Sequence, residues 1–228
     1  MTSQSLARLK GRIKYGLLTQ EILDRLGKLG VRVTPYLLVD ESPGALLDFE
    51  VKATACTMRP LLPDDMPLIV NMPGRKRKPD QISTRLNEAD CLGVFVGDAL
   101  AGYTWSRYDR IASSSGRIEL YRLGPNEAYL FDMFIDKSFR GMALAPLLRH
   151  CLYQRLLAKG IRIFYSITSY FNRSSRRFKA KLGAQELELR VGLSSWSLWD
   201  ADFLLKRYVA DHPLRTRRAY FAHGQQSD

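Results

Sequence analysis

The stretch best equipped for chemistry is a strand ending at Ile135-Asp136 that runs through Lys137-Ser-Phe139 into Arg140-Gly-Met-Ala-Leu-Ala145, just ahead of a leucine-striped helix. Small residues at 141, 143 and 145 let the backbone turn tightly and come close to a ligand. The N–H groups of a helix start have no internal partners, and the helix dipole adds positive potential there. That combination suits a phosphate or pyrophosphate. Arg140 stands beside it with a fixed charge in a forked geometry. Taken alone, the turn is accounted for as well by an ordinary strand–turn–helix whose small residues serve packing.

Other chemistries find no footing. Cys56, Cys91 and Cys151 are too few and too far apart for a disulfide framework or a zinc knuckle. His150, His212 and His223 show no metal-ligand spacing, so no metal is expected. The signatures of P-loop, dinucleotide and nucleophile-elbow sites (G-x-x-x-x-G-K-[ST], G-x-G-x-x-G, G-x-S-x-G) are absent. The chain holds 35 Lys+Arg against 23 Asp+Glu, a net charge of +12, with 46% hydrophobic residues. Such a composition folds into a soluble globular domain. No uncharged apolar run approaches the ~20 residues of a membrane-spanning helix. Basic residues interrupt the N-terminal leucines, so a signal peptide is not expected. These features describe a basic, cytoplasmic protein with an anionic partner.

The elements that must hold the turn follow from periodicity. Residues 5–28 read as an amphipathic helix through Leu6, Leu9, Ile13 and Leu17. A β-prone run, Val31 to Val39, is interrupted by Pro35, and the Glu41 to Ala45 turn makes a seam. The expected division is an N-terminal extension over 1–50, a main domain over 51–211 and a polar tail over 212–228. Within the main domain, Ala53 to Arg59 is strand-like, Asp64-Asp65 can cap a helix running through Leu68 to Asn71, and a second helix is expected from about Ile82 to Asn87. The Arg75 to Lys78 run reads as a solvated loop. Leu92 to Val96 and Leu100 to Tyr108 form a hairpin, and strands follow over 118–123 and 127–136. The helix after the turn presents Leu144, Leu147, Leu148, Cys151, Leu152 and Leu156. Strand 161–168, helix 174–181 and strands 186–191 and 203–208 complete the order.

In that setting the chain resembles the GNAT superfamily of acyl-CoA-dependent N-acyltransferases, whose acyl-CoA loop reads [QR]-x-x-G-x-[GA]. Arg140 matches the first position and Ala145 the last, while Ala143 replaces the usual central glycine. Ile135-Asp-Lys-Ser-Phe-Arg-Gly141 matches the phrase before the loop. Asn172, Phe178 and Leu182-Gly183 match the stretch downstream, and Met58 to Asp65 the first strand and the start of the first helix. The likeness runs from about 53 to about 208 and leaves residues 1–50 uncovered. It implies an α/β (α+β) fold with a mixed, mostly antiparallel central sheet flanked by helices, here with a helical N-terminal extension.

The resemblance further implies that the fourth and fifth strands splay apart to admit the pantetheine arm of acetyl-CoA, or another acyl-CoA. Met133, Phe134 and Ile135 would offer backbone hydrogen bonds to that arm. Gly141, Met142, Ala143, Leu144 and Ala145 would cradle the pyrophosphate beside Arg140. Asn172 would sit where the fifth strand leaves the arm, or simply cap a helix. Arg176, with Arg173 and Arg177, could approach the adenosine phosphates or lie on solvated surface. For proton transfer Asp132 is the first candidate base, Glu127 the second through water, and Tyr170 a candidate acid, because Lys179 stands where the family places a tyrosine. Asp132 equally suits a strand carboxylate paired with an arginine. Tyr103, Trp105, Tyr129, Phe131, Trp196 and Trp199 could line an acceptor pocket or belong to the core.

The expected activity is therefore transfer of an acetyl group to a primary amine of a small molecule or amino sugar. A non-catalytic acyl-CoA-binding module and a charge-driven surface binder are the rival readings. The extension over 5–28 leaves open a homodimer contact or a peripheral contact with anionic membrane. No recognition motif for nucleic acid accompanies the charge, so nucleic acid is not an expected partner.

Overall fold

The computed structural model describes residues 30–42, 55–75, 77–195 and 199–214, with positions 25 and 27 besides. The remainder of the expected 5–28 helix, Trp196 and the tail beyond 214 lie outside the described residues. In chain order the elements are β1 (Val31–Asp40), β2 (Thr57–Leu61), α1 (Met66–Val70), α2 (Pro79–Glu88), β3 (Asp90–Val96), β4 (Ala99–Arg107), β5 (Arg110–Ala112), β6 (Glu119–Arg122), β7 (Glu127–Ile135), α3 (Leu144–Ala158), β8 (Ile163–Ser169), α4 (Arg173–Lys181), β9 (Gln185–Ser195) and β10 (Trp199–Arg207). Eight strands make one sheet in the order β10-β9-β1-β8-β7-β4-β3-β2, and β5 pairs with β6 separately. Every pairing in the large sheet is antiparallel except β7 with β8. This is the mixed, mostly antiparallel sheet flanked by helices that the sequence leads one to expect.

The sheet is covered on both faces. On one, α3 lays Leu144, Leu148, Leu152 and Leu156 against Leu92, Val94, Ala128, Leu130 and Phe164. Spacing of four residues keeps those leucines on one stripe. On the other face, α1 and α2 bury Ile69 and Ile82 against Tyr103 and Trp105. Beside them, the β5–β6 hairpin sets Ile111, Leu120 and Tyr121 over Tyr36, Leu38, Tyr129 and Tyr165. Each large side chain so buried contributes roughly 1.5–3 kcal/mol relative to exposure.

Three expectations are corrected here. First, β1 is unbroken by Pro35 and is no appendage, because it lies between β8 and β9 and pairs with both. A strand residue points its N–H and C=O to the same side. The Pro35 carbonyl accepts from Tyr170 N–H at 3.0 Å, one step past the last β1–β8 rung, Tyr36↔Ser169. The missing proline N–H therefore falls at the very end of the β1–β8 ladder and spares the pairing with β9. Second, the start of the supposed seam is interior: Glu41 is fully buried and its N–H donates to the Phe164 carbonyl at 2.7 Å. Third, the start of the polar tail is held in place. His212 packs edge-on against Tyr165 with centroids 5.5 Å apart, and Leu214 is buried.

The buried face of α3 also differs from the apolar stripe. Arg149 and Tyr153 are buried, while Leu147 and Cys151 are only partly so. The cause is Glu41. Its carboxylate accepts from Tyr153 Oη at 2.5 Å and lies 3.4 Å from Arg149 Nε and 3.5 Å from Lys179 Nζ. Burial alone would raise the Glu41 carboxyl, but Arg149 and Lys179 outweigh it and hold it at about 2. Burial pulls the Lys179 ammonium down to about 8, partly offset by Glu41.

Candidate active site

Strands β7 and β8 run side by side only from Glu127↔Ile163 to Leu130↔Ser166. Beyond that rung β8 continues along β1 to Ser169, and β7 continues along β4 to Ile135. The two strands therefore part company, and residues 131–135 present an open backbone edge toward the gap. Gly102 keeps β4 close on the other side, since a Cβ there would lie 2.6 Å from the Phe134 carbonyl oxygen. The register slips between Tyr103 and Trp105, and one extra β7 residue forms a bulge at which Asp132 takes φ 49°. Bulges bend a strand and re-aim side chains, as here beside a gap.

At the far end of β7 the chain turns into α3. Asp136 caps the turn by accepting from Ser138 N–H at 2.8 Å. Gly141 has φ 95°, and Ala143, the helix N-cap, has φ 54° and ψ 19°. The alanine thus adopts the left-handed conformation that glycine enters freely. Leu147 N–H is the first to bond back, to the Ala143 carbonyl at 3.3 Å. Pro146 has no N–H, which leaves those of Leu144 and Ala145 without helical acceptors. Arg140, Gly141 and Ala143 are exposed. Geometry and chemistry here fit a pyrophosphate.

On the opposite face the Asp132 carboxylate is met by three arginines. Arg75 approaches at 2.5 Å, Arg77 at 2.5 Å and Arg85 at 2.6 Å. Arg75 and Arg77 come from the run expected to be solvated, which is thereby corrected: opposite charge across the fold turns them inward. Arg85 lies over Phe131 at 5.8 Å and over Trp105 at 6.0 Å from the ring centroids. Phe131 stacks on Tyr129 at 5.5 Å. A cavity of about 470 Å³ opens from this point, with Arg85, Arg107, Arg110, Ser113, Phe131 and Asp132 among its walls. A second cleft of about 340 Å³ lies across the same serine loop, where Arg117 is already paired with Asp200.

The other expected site residues are spread out. Glu127 is fully buried and accepts from Gly124 N–H at 2.7 Å. It stands five residues from Asp132, roughly 16 Å along the strand, on the paired side of the gap. Tyr170 lies beyond the end of β8, its ring covered by Arg176 at 5.0 Å. Arg176 in turn is engaged by Glu186 at 2.9 Å. Asn172 caps α4 by accepting from Ser175 N–H at 3.1 Å. Lys179 Nζ donates to Ser166 Oγ at 2.6 Å, at the last shared rung. Among the aromatics, Tyr129 and Phe131 line the cavity, Tyr103 and Trp105 are core, and Trp199 is exposed.

Comparison with known proteins decides the family. The model of the acetyltransferase (GNAT) family matches residues 57–184, more than half of the chain. The chain belongs to the GNAT family. Its matched segment begins at β2 and ends just after α4, so it takes in the gap, the turn and Asp132. Among solved structures, a GNAT-family protein from Novosphingobium aromaticivorans, described as an acetyltransferase, superposes with a TM-score of 0.53 at 20% identity, covering 74% of this chain and 69% of that one. A tandem GNAT protein of the clavulanic acid pathway gives 0.52 at 15%, covering 76% of this chain and 53% of that one. These likenesses establish the GNAT fold. No match was found among curated proteins.

Proposed function

We propose that this GNAT protein transfers an acetyl group from acetyl-CoA to a primary amine. The observation that carries the reading is the parting of β7 and β8 after Leu130↔Ser166, with the left-handed Ala143 turn on one face and the Asp132 cavity on the other. Donor and acceptor would meet through that gap. The open edge at Met133 to Ile135 offers hydrogen bonds to the pantetheine amides and a backbone N–H to the developing oxyanion. The Leu144 and Ala145 N–H groups, the helix dipole and Arg140 receive the pyrophosphate.

In the reaction the amine nitrogen attacks the thioester carbon, the C–N bond forms and the C–S bond breaks. Sulfur leaves as thiolate and takes up one proton, while the amine loses one. A thiol with pKa ~8.5 is a competent leaving group unaided. Lys179 directs its ammonium to Ser166, and Tyr170 lies under Arg176, so neither is assigned as the acid. Of the expected proton movers, Asp132 alone stands at the gap. Its charge is committed to three guanidinium groups, and we assign it the part of holding them. The amine proton then leaves to solvent through the open cavity.

Amine-dependent release of CoA from acetyl-CoA, with mass spectrometry of the acetylated product, tests the reading. Transfer to a primary amine is expected. Acetyl-CoA binding without transfer across a broad amine panel would favour the non-catalytic module.

A further inference from the structure

We propose that the acceptor of this acyltransferase is an acidic amine, whose carboxylate or phosphate is received by Arg85 and Arg110 in the cavity beside Asp132. The inference rests on the acyltransferase reading and adds the substrate class. Its basis is a local surplus of charge. Arg75, Arg77 and Arg85 share the single carboxylate of Asp132. Arg75 and Arg77 are not among the residues lining the cavity, whereas Arg85 is. With Asp132 already shared by Arg75 and Arg77, the Arg85 charge on the cavity wall is left in excess.

Two further arginines, from β4 and β5, line the same cavity. Arg107 gives Nε and Nη2 to Asp109 at 2.7 and 2.9 Å, so its pairing is internal to the wall. Arg110 is only loosely associated with the same carboxylate, at 3.7 Å. Glu88 also lines the cavity, so among the described residues five arginines gather here around three carboxylates, those of Asp132, Asp109 and Glu88, a surplus of two. The Ser113 to Ser115 loop adds hydroxyl groups to the wall, and Tyr129 and Phe131 form an aromatic floor. A cavity of about 470 Å³ holds a metabolite-sized molecule but not a folded partner. An anion gripped between Arg85 and Arg110 would leave its amine near the β7 bulge, where the gap opens. A cationic amine without an anionic group would meet net repulsion there.

The test uses matched acceptors: L-glutamate against L-glutamine, and phosphoethanolamine against ethanolamine. Each is titrated calorimetrically into the full chain, alone and saturated with CoA, and each is assayed for CoA release from acetyl-CoA. The acidic member of at least one pair should be preferred by about 10- to 100-fold, the range of a charge-assisted contact. A preference in the first pair only identifies a carboxylate, and in the second only a phosphate. The preference should fall below about threefold in the Arg85→Gln, Arg110→Gln double variant, with acetyl-CoA affinity unchanged. Arg110→Gln alone, at a half-buried position, should reduce it without touching the Asp132 cluster. No discrimination in either pair, preference for the uncharged member, or a preference that survives the double variant would overturn the proposal. Failure of acetyl-CoA to bind would instead sink the acyltransferase reading, and would leave acid-selective binding by the chain alone as a separate result.

Discussion

At Ala143 a methyl group occupies a left-handed position, which costs an L-residue roughly 1–2 kcal/mol. Glycine there would remove the strain and return part of it as unfolded-state entropy of about 0.4–1 kcal/mol. Ala143→Gly should therefore leave stability unchanged or raise it by up to about 1 kcal/mol in urea unfolding, with acetyl-CoA affinity kept or tightened. Ala143→Val should lower both, since a β-branched residue fits that conformation worst. Asp132→Asn separates anchor from base. With Asp132 as anchor, activity falls because the arginines lose their hold, yet the rate keeps rising with pH as the amine itself deprotonates. A pH limb that vanished in the variant would make Asp132 the base. Of these residues the sequence reveals the turn and the departure at 143, because they are contiguous and follow a pattern. The convergence of Arg75, Arg77 and Arg85 on Asp132 was hidden, because the partners lie 47 or more positions apart and an isolated basic run looks like solvent-facing surface.

Among the elements, β1 carries the largest structural consequence. It supplies both β8 and β9 with their ladder partner, and it brings Tyr36 and Leu38 into the core. A chain beginning at residue 51 should fail to fold, read as loss of cooperative unfolding and of near-ultraviolet dichroism. Its place was not legible: the apolar run shows as a strand, but nothing local says which neighbours it joins. The boundaries of β3, β4, β7, α3 and α4 were legible to within a residue or two, because turn glycines and clear periodicities mark them. β1 leads directly into Glu41, which ties it to α3 and α4. In the folded chain this carboxyl is held at about 2, below its ordinary 4.5. As pH falls the unfolded chain takes up the proton first, so the contribution is complete above about pH 4.5 and drains toward pH 2. Lys179 acts in the opposite window. Its folded value of about 8 lies below 10.5, so the unfolded chain holds more protons between the two, and stability from this group rises with pH there. Glu41→Gln should destabilise by about 3–5 kcal/mol at neutral pH, because Arg149 and Lys179 would be left buried without their counter-charge. Unfolding followed across pH 2–10 checks both.

For the molecule as a whole, the surplus of +12 divides among distinct places. Arg140 stands at the turn before α3, and Arg75, Arg77, Arg85, Arg107 and Arg110 gather around Asp132 and the cavity beside it. Arg8, Lys10, Arg12, Lys14 and the Arg215 to Arg218 run lie outside the described residues. The proposed transfer between two anionic substrates would use this two-sided arrangement, with the left-handed turn on one face, a cationic cavity on the other and a gap between. Excess positive charge would also speed the encounter with both, an effect that salt should weaken. The most direct measurement is isothermal calorimetry of acetyl-CoA with the full chain, beside a Gly141→Val variant that blocks the φ 95° turn. The account predicts one site per chain, with binding lost in the variant while its fold persists. No binding by the native chain, or undiminished binding by the variant, would contradict it.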